Sequence, residues 1–291
     1  MIAKLSHTSI TKAKNRTLLC SALTTTSSFG AAVPTLFFAF FDIGVVETLT
    51  RILKTPHTSL RTLTTTRITL DTLTQTILKP INTYFTTHKS TKKSSQMRQM
   101  NNSNGDSNSN RLNSIARTIL DDVSSVLTTH TLLTLLDSPT PSLPLTHTPG
   151  KSGYVTYLNG NRNGSGNRGG NENLFLSPTT SSFLPSNSTG YRTEEEIELV
   201  HTLHSTQSSF LTFLESYLSL MEKYNEKLNE KINGNLDEKY SGQRPISLDV
   251  FSCSLALSRV LSNEFYSSQH RAMAGRCLER LVVLTGGEVS T

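Results

Sequence analysis

Two histidines and a glutamate in this 291-residue chain have the types and spacing of metal ligands. His201 and His204 lie three residues apart, and Glu198 precedes them by one helical turn. Two imidazoles and a carboxylate on one helix face could bind zinc. The sequence marks no third or fourth ligand elsewhere, so it favours solvated side chains over a metal site.

A second motif imitates the end of a phosphate-binding loop. Pro149-Gly150-Lys151-Ser152 has the Gly-Lys-Ser ending, but the full pattern needs glycine five residues before Gly150, where this chain has Leu145. No predicted strand precedes the motif either. The sequence therefore excludes a nucleotide site of this type and predicts no bound cofactor.

The three cysteines, Cys20, Cys253 and Cys277, are odd in number and far apart. This pattern is neither a disulfide framework nor a zinc motif, and it fits a reducing compartment. Cys253 and Cys277 fall on apolar helix faces, which predicts core positions. No Ser/His/Asp or Cys/His set has a supporting context. The sequence therefore predicts no catalytic residue, no metal site and no enzymatic activity.

Composition indicates helical pieces separated by disordered tracts. Only 35% of residues are hydrophobic, while Ser, Thr and Asn are abundant. Residues 1–120 hold 15 Lys/Arg against 4 Asp/Glu, and residues 121–291 hold 13 against 18. The basic residues are scattered among Ser and Thr without interleaved aromatics, so they do not predict a nucleic-acid partner.

The N-terminal segment, residues 1–28, is basic and rich in Ser and Thr. It resembles a mitochondrial transit peptide in composition, but the same bias continues past residue 60. The apolar run Phe29–Phe41 spans about 13 residues, is interrupted by Pro34, and is too short for a transmembrane helix, which needs about 20. We expect a buried helix there and a cytoplasmic or nuclear location, with mitochondria as the alternative.

Residues 29–87 have the pattern of a helical repeat segment. Two short helices are predicted over Thr35–Phe41 and Val45–Leu53, separated by a turn in which Gly44 takes the left-handed conformation. A second apolar stripe follows from Leu70 to Tyr84. Pro80 lies inside that stripe and is expected to kink or divide its helix.

Two low-complexity tracts separate the remaining elements. Residues 88–110 and 137–192 are predicted to be disordered linkers, the second rich in Pro, Gly and Asn. Between them lies a predicted helix over 111–136. Its inner face comprises Leu112, Ile115, Ile119, Val123 and Val126.

Residues 193–291 are predicted to form a three-helix segment. Thr193 can cap the first helix, and a three-and-four spacing follows that is typical of a coiled-coil seam. The seam residues are Val200, Leu203, Gln207, Phe210, Leu214, Tyr217, Met221, Tyr224 and Leu228. All of them except Gln207 and Tyr224 are predicted to support possible self-association. Additional apolar residues at Leu211, Phe213, Leu218 and Leu220 favour packing within a bundle.

The last two predicted helices form an αα-hairpin, at about Ser247–Phe265 and Ser268–Leu284. We expect the first to bury Phe251, Leu255, Leu257 and Leu261. We expect the second to bury Met273, Cys277, Leu281 and Leu284. Paired antiparallel helices are the building unit of α-solenoids, so the predicted class is all-α: armadillo/HEAT-like helical repeats or a helical bundle, interrupted by disordered linkers.

The stretch from Gly44 to Ile81 resembles a known family. Gly44-Val45-Val46-Glu47-Thr48-Leu49-Thr50-Arg51, His57-Thr58-Ser59-Leu60 and Leu78-Lys79-Pro80-Ile81 are similar, in order and spacing, to the armadillo-like middle region of giant HECT-type E3 ubiquitin ligases. In those ligases a low-complexity linker follows this region, and residues 88–110 are the corresponding linker here. Asn82 stands where that family has Glu, and its long acidic tract is absent.

The resemblance implies a non-catalytic part of the ubiquitin pathway. No cysteine here lies in the Thr-Cys-Phe setting of the family's ubiquitin-accepting residue, so the chain would be a solenoid segment or fragment that binds proteins without transferring ubiquitin. The leading hypothesis is therefore a helical-repeat scaffold for protein–protein interaction. The alternatives are a mitochondrial structural or assembly subunit with a basic presequence and a coiled-coil oligomerisation protein.

Overall fold

The chain folds into a predominantly helical structure with one connected core. The computed structural model describes residues 1–55, 60–94, 104–127, 132–137, 145–146, 156–157, 194–234, 248–264 and 266–286. Within these ranges the fold is all-α apart from one pair of two-residue strands. The predicted fold class is thus confirmed at this coarse level.

The helices of the first half are α1 (Ile2–Thr11), α2 (Arg16–Ala32), α3 (Leu36–Asp42), α4 (Val45–Leu53), α5 (Leu60–Leu73), a π-helical segment (Thr74–Leu78), α6 (Lys79–Ser94) and α7 (Asn104–Leu127). The second half contains a 3₁₀ turn (Leu133–Leu136), β1 (Leu145–Thr146), β2 (Thr156–Tyr157), α8 (Glu194–Gly234), α9 (Val250–Ser262) and α10 (Ser268–Leu284). β1 and β2 pair antiparallel, with Leu145 opposite Tyr157.

Helix α8 lies at the centre of the fold. It packs against α5, α6, α7, α10, the π segment and the 3₁₀ turn, while α5 packs in turn against α2, and α2 against α1. On the other side α10 packs against both α8 and α9. The helices therefore contact one another in the spatial order α1, α2, α5, α8, α10, α9.

Threonine supplies much of the buried surface between these layers. On α5 and the π segment, Thr65, Thr69, Thr72 and Thr76 are buried, and each donates its hydroxyl hydrogen to a carbonyl four residues earlier. A hydroxyl satisfied within its own helix leaves the γ-methyl group free to pack like that of valine. The low hydrophobic fraction therefore underestimates what this chain can bury.

The local prediction at Gly44 is confirmed, whereas next to Pro80 the helix continues and changes its geometry instead of dividing. Gly44 has φ 75° and begins α4. Pro80 lacks an N–H, and its ring would clash with the carbonyl of Thr76 in a regular α-helix. The π segment widens the helix just before this point, with the Lys79 N–H bonded to the Thr74 carbonyl.

Several predicted boundaries differ from those observed. The run Phe29–Phe41 is divided at Pro34 between α2 and α3, and α6 and α7 extend into the range 88–110 predicted as a linker. Once a packed helix has formed, each added residue gains a hydrogen bond at low entropic cost, so polar residues can extend it. Residues 95–103, and most of 137–192, lie outside the described residues.

The helix predicted over 111–136 is two elements, because α7 ends at Leu127 and a 3₁₀ turn follows at Leu133. All five predicted inner-face residues of α7 are buried. Side chains from α8 and from the α9–α10 connection satisfy the carbonyls of the 3₁₀ turn. Gln207 Nε2 donates to Leu135 O at 2.8 Å, and the Tyr266 hydroxyl donates to Leu136 O.

The predicted inner face of α9 is wrong. Phe251 is 75% exposed, and Leu255 and Leu261 are also exposed, whereas Leu257 is buried together with Cys253, Ala256 and Val260. Helical periodicity allows two overlapping apolar stripes on α9, and contact with α10 and the 3₁₀ turn selects the one with smaller residues. On α10, Met273, Cys277 and Leu281 are buried as predicted, whereas Leu284 is only partly buried.

Candidate functional site

An open apolar groove lies between α1 and α2 at the end of the helix stack. Its volume is about 590 Å³. Its lining residues are Ile2, Leu5, Ser6, Thr8, Ser9, Lys12, Ala13, Leu18, Ser21, Ala22, Thr25, Thr26 and Phe29. Leu5 is 57% exposed, Leu18 52% and Phe29 40%, so the large apolar side chains are not covered by the described part of the chain.

Each of the two helices carries two faces. On α1, Ala3, Ser6 and Ile10 are buried, while Ile2 and Leu5 are partly exposed and line the groove. On α2, Leu23, Thr26 and Gly30 are buried toward α5 and the π segment. The groove residues of α2 recur at helical spacing on a neighbouring face. Because α1 and α2 each pack against the rest of the fold through one face, each leaves a second apolar stripe exposed.

Close contacts hold α2 against the core and so set the floor of the groove. A Cβ added at Gly30 would lie 2.4 Å from Thr76 Cγ2 and 2.8 Å from Thr76 Cα. The Thr72 hydroxyl donates to Ile68 O at 2.7 Å, and its oxygen also lies 3.2 Å from Leu23 O, so α5 and α2 are in close contact at this point. Asn15 caps α2 by accepting a hydrogen bond from the Leu18 N–H at 3.0 Å. The position of Leu18 at the groove mouth is thus determined by backbone contacts.

The charges around this groove are all positive. Lys12, Lys14 and Arg16 are exposed at the connection between α1 and α2, and Lys12 itself lines the groove. Residues 1–41 contain no Asp or Glu. Within the described ranges these three side chains form no ion pair. An apolar channel with unneutralised cations at one end attracts an apolar ligand that carries negative charge.

The structure also brings together a polar cluster that no sequence motif marks. Ser208 Oγ lies 2.8 Å from His270 Nε2, and the rings of His204 and His270 have centroids 4.3 Å apart. Burial, and secondarily the neighbouring His204, lowers the pKa of His270 to about 4. Burial, followed by the charge of His201, also lowers the pKa of His204.

A serine paired with histidine could suggest nucleophilic catalysis, but this pair lacks two requirements. His270 Nδ1 has no hydrogen-bond partner among the described residues, so no carboxylate orients the imidazole. The His270 side chain is also fully buried, and a substrate could not reach it without displacement of α10. The cluster is best explained as a polar contact between α8 and α10.

The other candidate residues from the sequence fall in separate places. His201 and Glu198 are exposed, and the described residues contain no group of three His, Cys, Asp or Glu that could hold a metal ion. Cys253 and Cys277 are buried, and burial raises the pKa of each thiol to about 12, so both are core residues as predicted. The Gly150-Lys151-Ser152 motif lies outside the described residues.

The predicted self-association face is used within the chain. Of the seam residues proposed for it, five are buried against neighbouring helices: Leu203, Phe210, Leu214, Tyr217 and Met221. Leu211, Phe213, Leu218 and Leu220 are buried as well. Apolar residues therefore cover more of α8 than a two-stranded seam requires, and most of the seam is used for packing within the chain. Self-association stays a prediction.

Sequence reasoning missed the α1–α2 groove. A signal was present, because the basic N-terminal segment contains more apolar residues, among them Ile2, Leu5 and Leu18, than one buried face of two short helices requires. Their spacing does not reveal whether they face the core or solvent. No helix among the described residues is long and apolar enough to span a bilayer.

Comparison with known proteins gives no relative: no family model, no curated protein and no solved structure matches the chain. The resemblance to giant HECT-type ligases therefore depends only on the residues that carry it. Of those residues, Gly44–Arg51 form the start and body of α4, and Leu78–Ile81 span the junction of the π segment with α6. His57, Thr58 and Ser59 lie outside the described residues.

Proposed function

We propose that this chain is a non-catalytic helical scaffold that binds another protein through the α1–α2 groove. The observation that carries the proposal is that exposed Ile2, Leu5, Leu18 and Phe29 line one concave apolar surface. Scattered exposed apolar residues are ordinary on protein surfaces, whereas a contiguous apolar surface is typical of an interaction site.

The α1 end of the fold supports the likeness to an end layer of a helical repeat, as in the solenoid of giant HECT ligases, whereas α8 is covered on several sides like the central helix of a bundle. Helices α1, α2, α5, α8, α10 and α9 contact their neighbours in a row, and a row of stacked helices ends in a layer with one face uncovered. The α1–α2 pair is such an end layer. In this proposal the chain contributes binding within a ubiquitin-pathway assembly and no ubiquitin transfer.

The packing of α1 and α2 disfavours the mitochondrial alternative in which a presequence is removed. Ala3, Ile10 and Leu23 are buried, and the His7 Nε2 atom lies 3.3 Å from Thr48 Oγ1. Loss of the first 20–40 residues, the length of a typical presequence, would expose the α2-facing side of α5. Mass spectrometry of the mature protein from its native cells should therefore find the N-terminal segment retained.

Site-specific photocrosslinking tests the binding surface. A photoreactive residue replaces Ser21, which is exposed within the groove, and in a matched protein it replaces Ala272, which is exposed on α10. We expect a discrete protein adduct in native cells from position 21 only. Leu18→Asp should abolish that adduct, and Val283→Asp, at an exposed apolar residue outside the groove, should leave it intact. Equal adducts from both positions, or none from position 21, would contradict the proposal.

A further inference from the structure

The shape and charge of the α1–α2 groove indicate the chemistry of its partner. From these features we infer that the groove binds an acidic amphipathic α-helix of another protein, with its acidic end beside Lys12, Lys14 and Arg16. This inference rests on the proposed function and adds the partner's secondary structure, charge and orientation.

The length and walls of the groove fit a helix. Leu18 and Phe29 lie eleven residues apart on α2, which is about 16 Å along the helix axis, or three turns. The opposite wall is the Ile2, Leu5 and Ser9 face of α1. Two helices with parallel stripes form a channel between their side-chain ridges, and a third helix packs into such a channel with its own i, i+3, i+4, i+7 residues.

The floor of the groove favours close approach by this third helix. Ser6, Ala22 and Thr26 are small residues, and Ser6 and Thr26 are buried beneath the groove. The Thr26 hydroxyl donates to Ala22 O at 2.8 Å, so it leaves no unpaired donor beneath the groove. Large apolar side chains of a partner can therefore insert between Leu5 and Leu18 without desolvating an unsatisfied hydroxyl at Thr26.

Charge determines the sign of the partner and its orientation. Lys12, Lys14 and Arg16 lie within five residues of one another at the α1–α2 connection, and no acidic residue precedes Asp42. The Phe29 end of the groove has no comparable group of cations among its lining residues. Lys4, in the first turn of α1, is a single exposed cation away from the connection, so a helix with carboxylates at one end gains the most favourable interactions when that end lies at the connection.

A concave channel distinguishes this partner from a membrane surface. A basic surface that binds anionic lipid needs its apolar side chains to project outward into the acyl boundary. Here the apolar side chains converge on a groove of about 590 Å³ between two helices. The geometry matches the ridge of a single helix, and anionic vesicles serve as the competing ligand in the test.

Fluorescence anisotropy with synthetic peptides tests the inference on the full chain. The probe is a labelled 18-residue helix with a leucine stripe and glutamates concentrated toward one end. Its controls are a peptide with lysine in place of every glutamate and a scrambled peptide of the same composition. We expect the acidic helix to bind at least tenfold more tightly than either control, and more weakly as salt rises from 50 to 500 mM.

Variants assign the binding to the groove. Lys12→Glu combined with Lys14→Glu should weaken binding of the acidic helix about tenfold, since two attractive contacts become repulsive. Leu18→Asp should reduce it further, and Val283→Asp should leave it unchanged. All four side chains are exposed, so the variants keep the fold.

The possible outcomes separate this inference from the proposed function. If the lysine peptide binds as tightly as the acidic one and Leu18→Asp still abolishes binding, the acidic partner is wrong and the protein-binding groove stands. If the acidic helix fails to bind, the inference is overturned. Leu18-dependent binding of phosphatidylserine vesicles, without binding of the acidic helix, would show that the groove binds a membrane surface instead. Absence of a crosslinked adduct at position 21 would remove the proposed function as well.

Discussion

The α1–α2 pair and the α8–α10 pair are both neighbouring helices of one fold, yet they differ in what surrounds them. Helix α8 is covered on several sides, and two ion pairs join it to α10: Arg276 with Glu215 at 2.8 Å and Arg280 with Glu222 at 2.6 Å. Helices α1 and α2 keep an apolar stripe open, and no ion pair joins them within the described residues. The contrast indicates that the α1–α2 pair has an exposed apolar face, whereas the apolar faces of α8 and α10 are buried within the fold.

Truncation of one leucine in each pair should give the largest difference. Leu214→Ala on α8 removes a fully buried side chain and should lower the free energy of unfolding by about 3 kcal/mol, because a cavity remains. Leu5→Ala on α1 removes a side chain that is 57% exposed and should change it by less than about 0.5 kcal/mol. Urea denaturation of both variants measures the difference, and equal losses would contradict it.

Acid should weaken the α8–α10 pair through His270. Burial lowers the pKa of His270 to about 4 in the folded protein, below the 6.5 of an unperturbed histidine. As pH falls from 6.5 toward 4, the unfolded chain therefore takes up this proton first, and stability declines by about 3 kcal/mol.

Denaturation at pH 7 and at pH 4 isolates this effect. His270→Gln should lose about 3 kcal/mol less than the parent chain across this interval, whatever its stability at pH 7. His201→Gln, at an exposed histidine on the same long helix, is the control for the substitution itself. A His270→Gln variant with the parent's pH dependence would show that His270 does not carry the acid sensitivity.

Two helical glycines provide a matched test of packing in the two regions. At Gly30 an added methyl group meets Thr76 Cγ2 at 2.4 Å, so Gly30→Ala should destabilise the protein by about 2 kcal/mol. At Gly275 on α10 the nearest atom is Leu261 Cδ2 at 3.8 Å, so Gly275→Ala should stabilise it by about 0.5 kcal/mol. Thermal unfolding of the two variants should give midpoint shifts of opposite sign.

The ion pairs should contribute the smallest effect. In a double-mutant cycle, Glu222→Gln and Arg280→Gln should show a coupling of about 0.5–1 kcal/mol, because both side chains are partly shielded from solvent. The same cycle on Asp42 and Arg111, each about half exposed, should show a smaller coupling. Added salt should reduce both values, and a salt-independent coupling would argue against an electrostatic origin.

Sequence reasoning succeeded where one element determines its own structure. The Gly44 turn, the π-helical turn before Pro80 and the boundaries of α10 follow from local chemistry, since a left-handed residue, a missing N–H and a cap act within a few residues. Sequence reasoning failed where a helix has two overlapping apolar stripes and either of them could be the buried face. Helix α9 buries Ala256 and exposes Phe251 because α10 and the 3₁₀ turn contact one side of it only.

The candidate site is the clearest example of that limit. Leu18 and Leu23 are both leucines on α2, yet Leu18 is 52% exposed and Leu23 is fully buried. Which of them faces α5 depends on the contact between Gly30 and Thr76, residues that are far apart in the sequence. Helical periodicity indicates that α2 has two apolar stripes, but it does not indicate which stripe another helix covers.

By itself the sequence determined that this protein is helical, which residues begin and end several helices, and that its first 41 residues carry only positive side-chain charge. Only the tertiary structure decided that threonines form much of the buried surface between the helices. It also decided that most seam residues of α8 are buried against other helices of the chain, and that the groove between α1 and α2 is exposed. The physical reason is that helix formation depends on hydrogen bonds and caps within a few residues, whereas burial depends on which distant helix occupies the adjacent space.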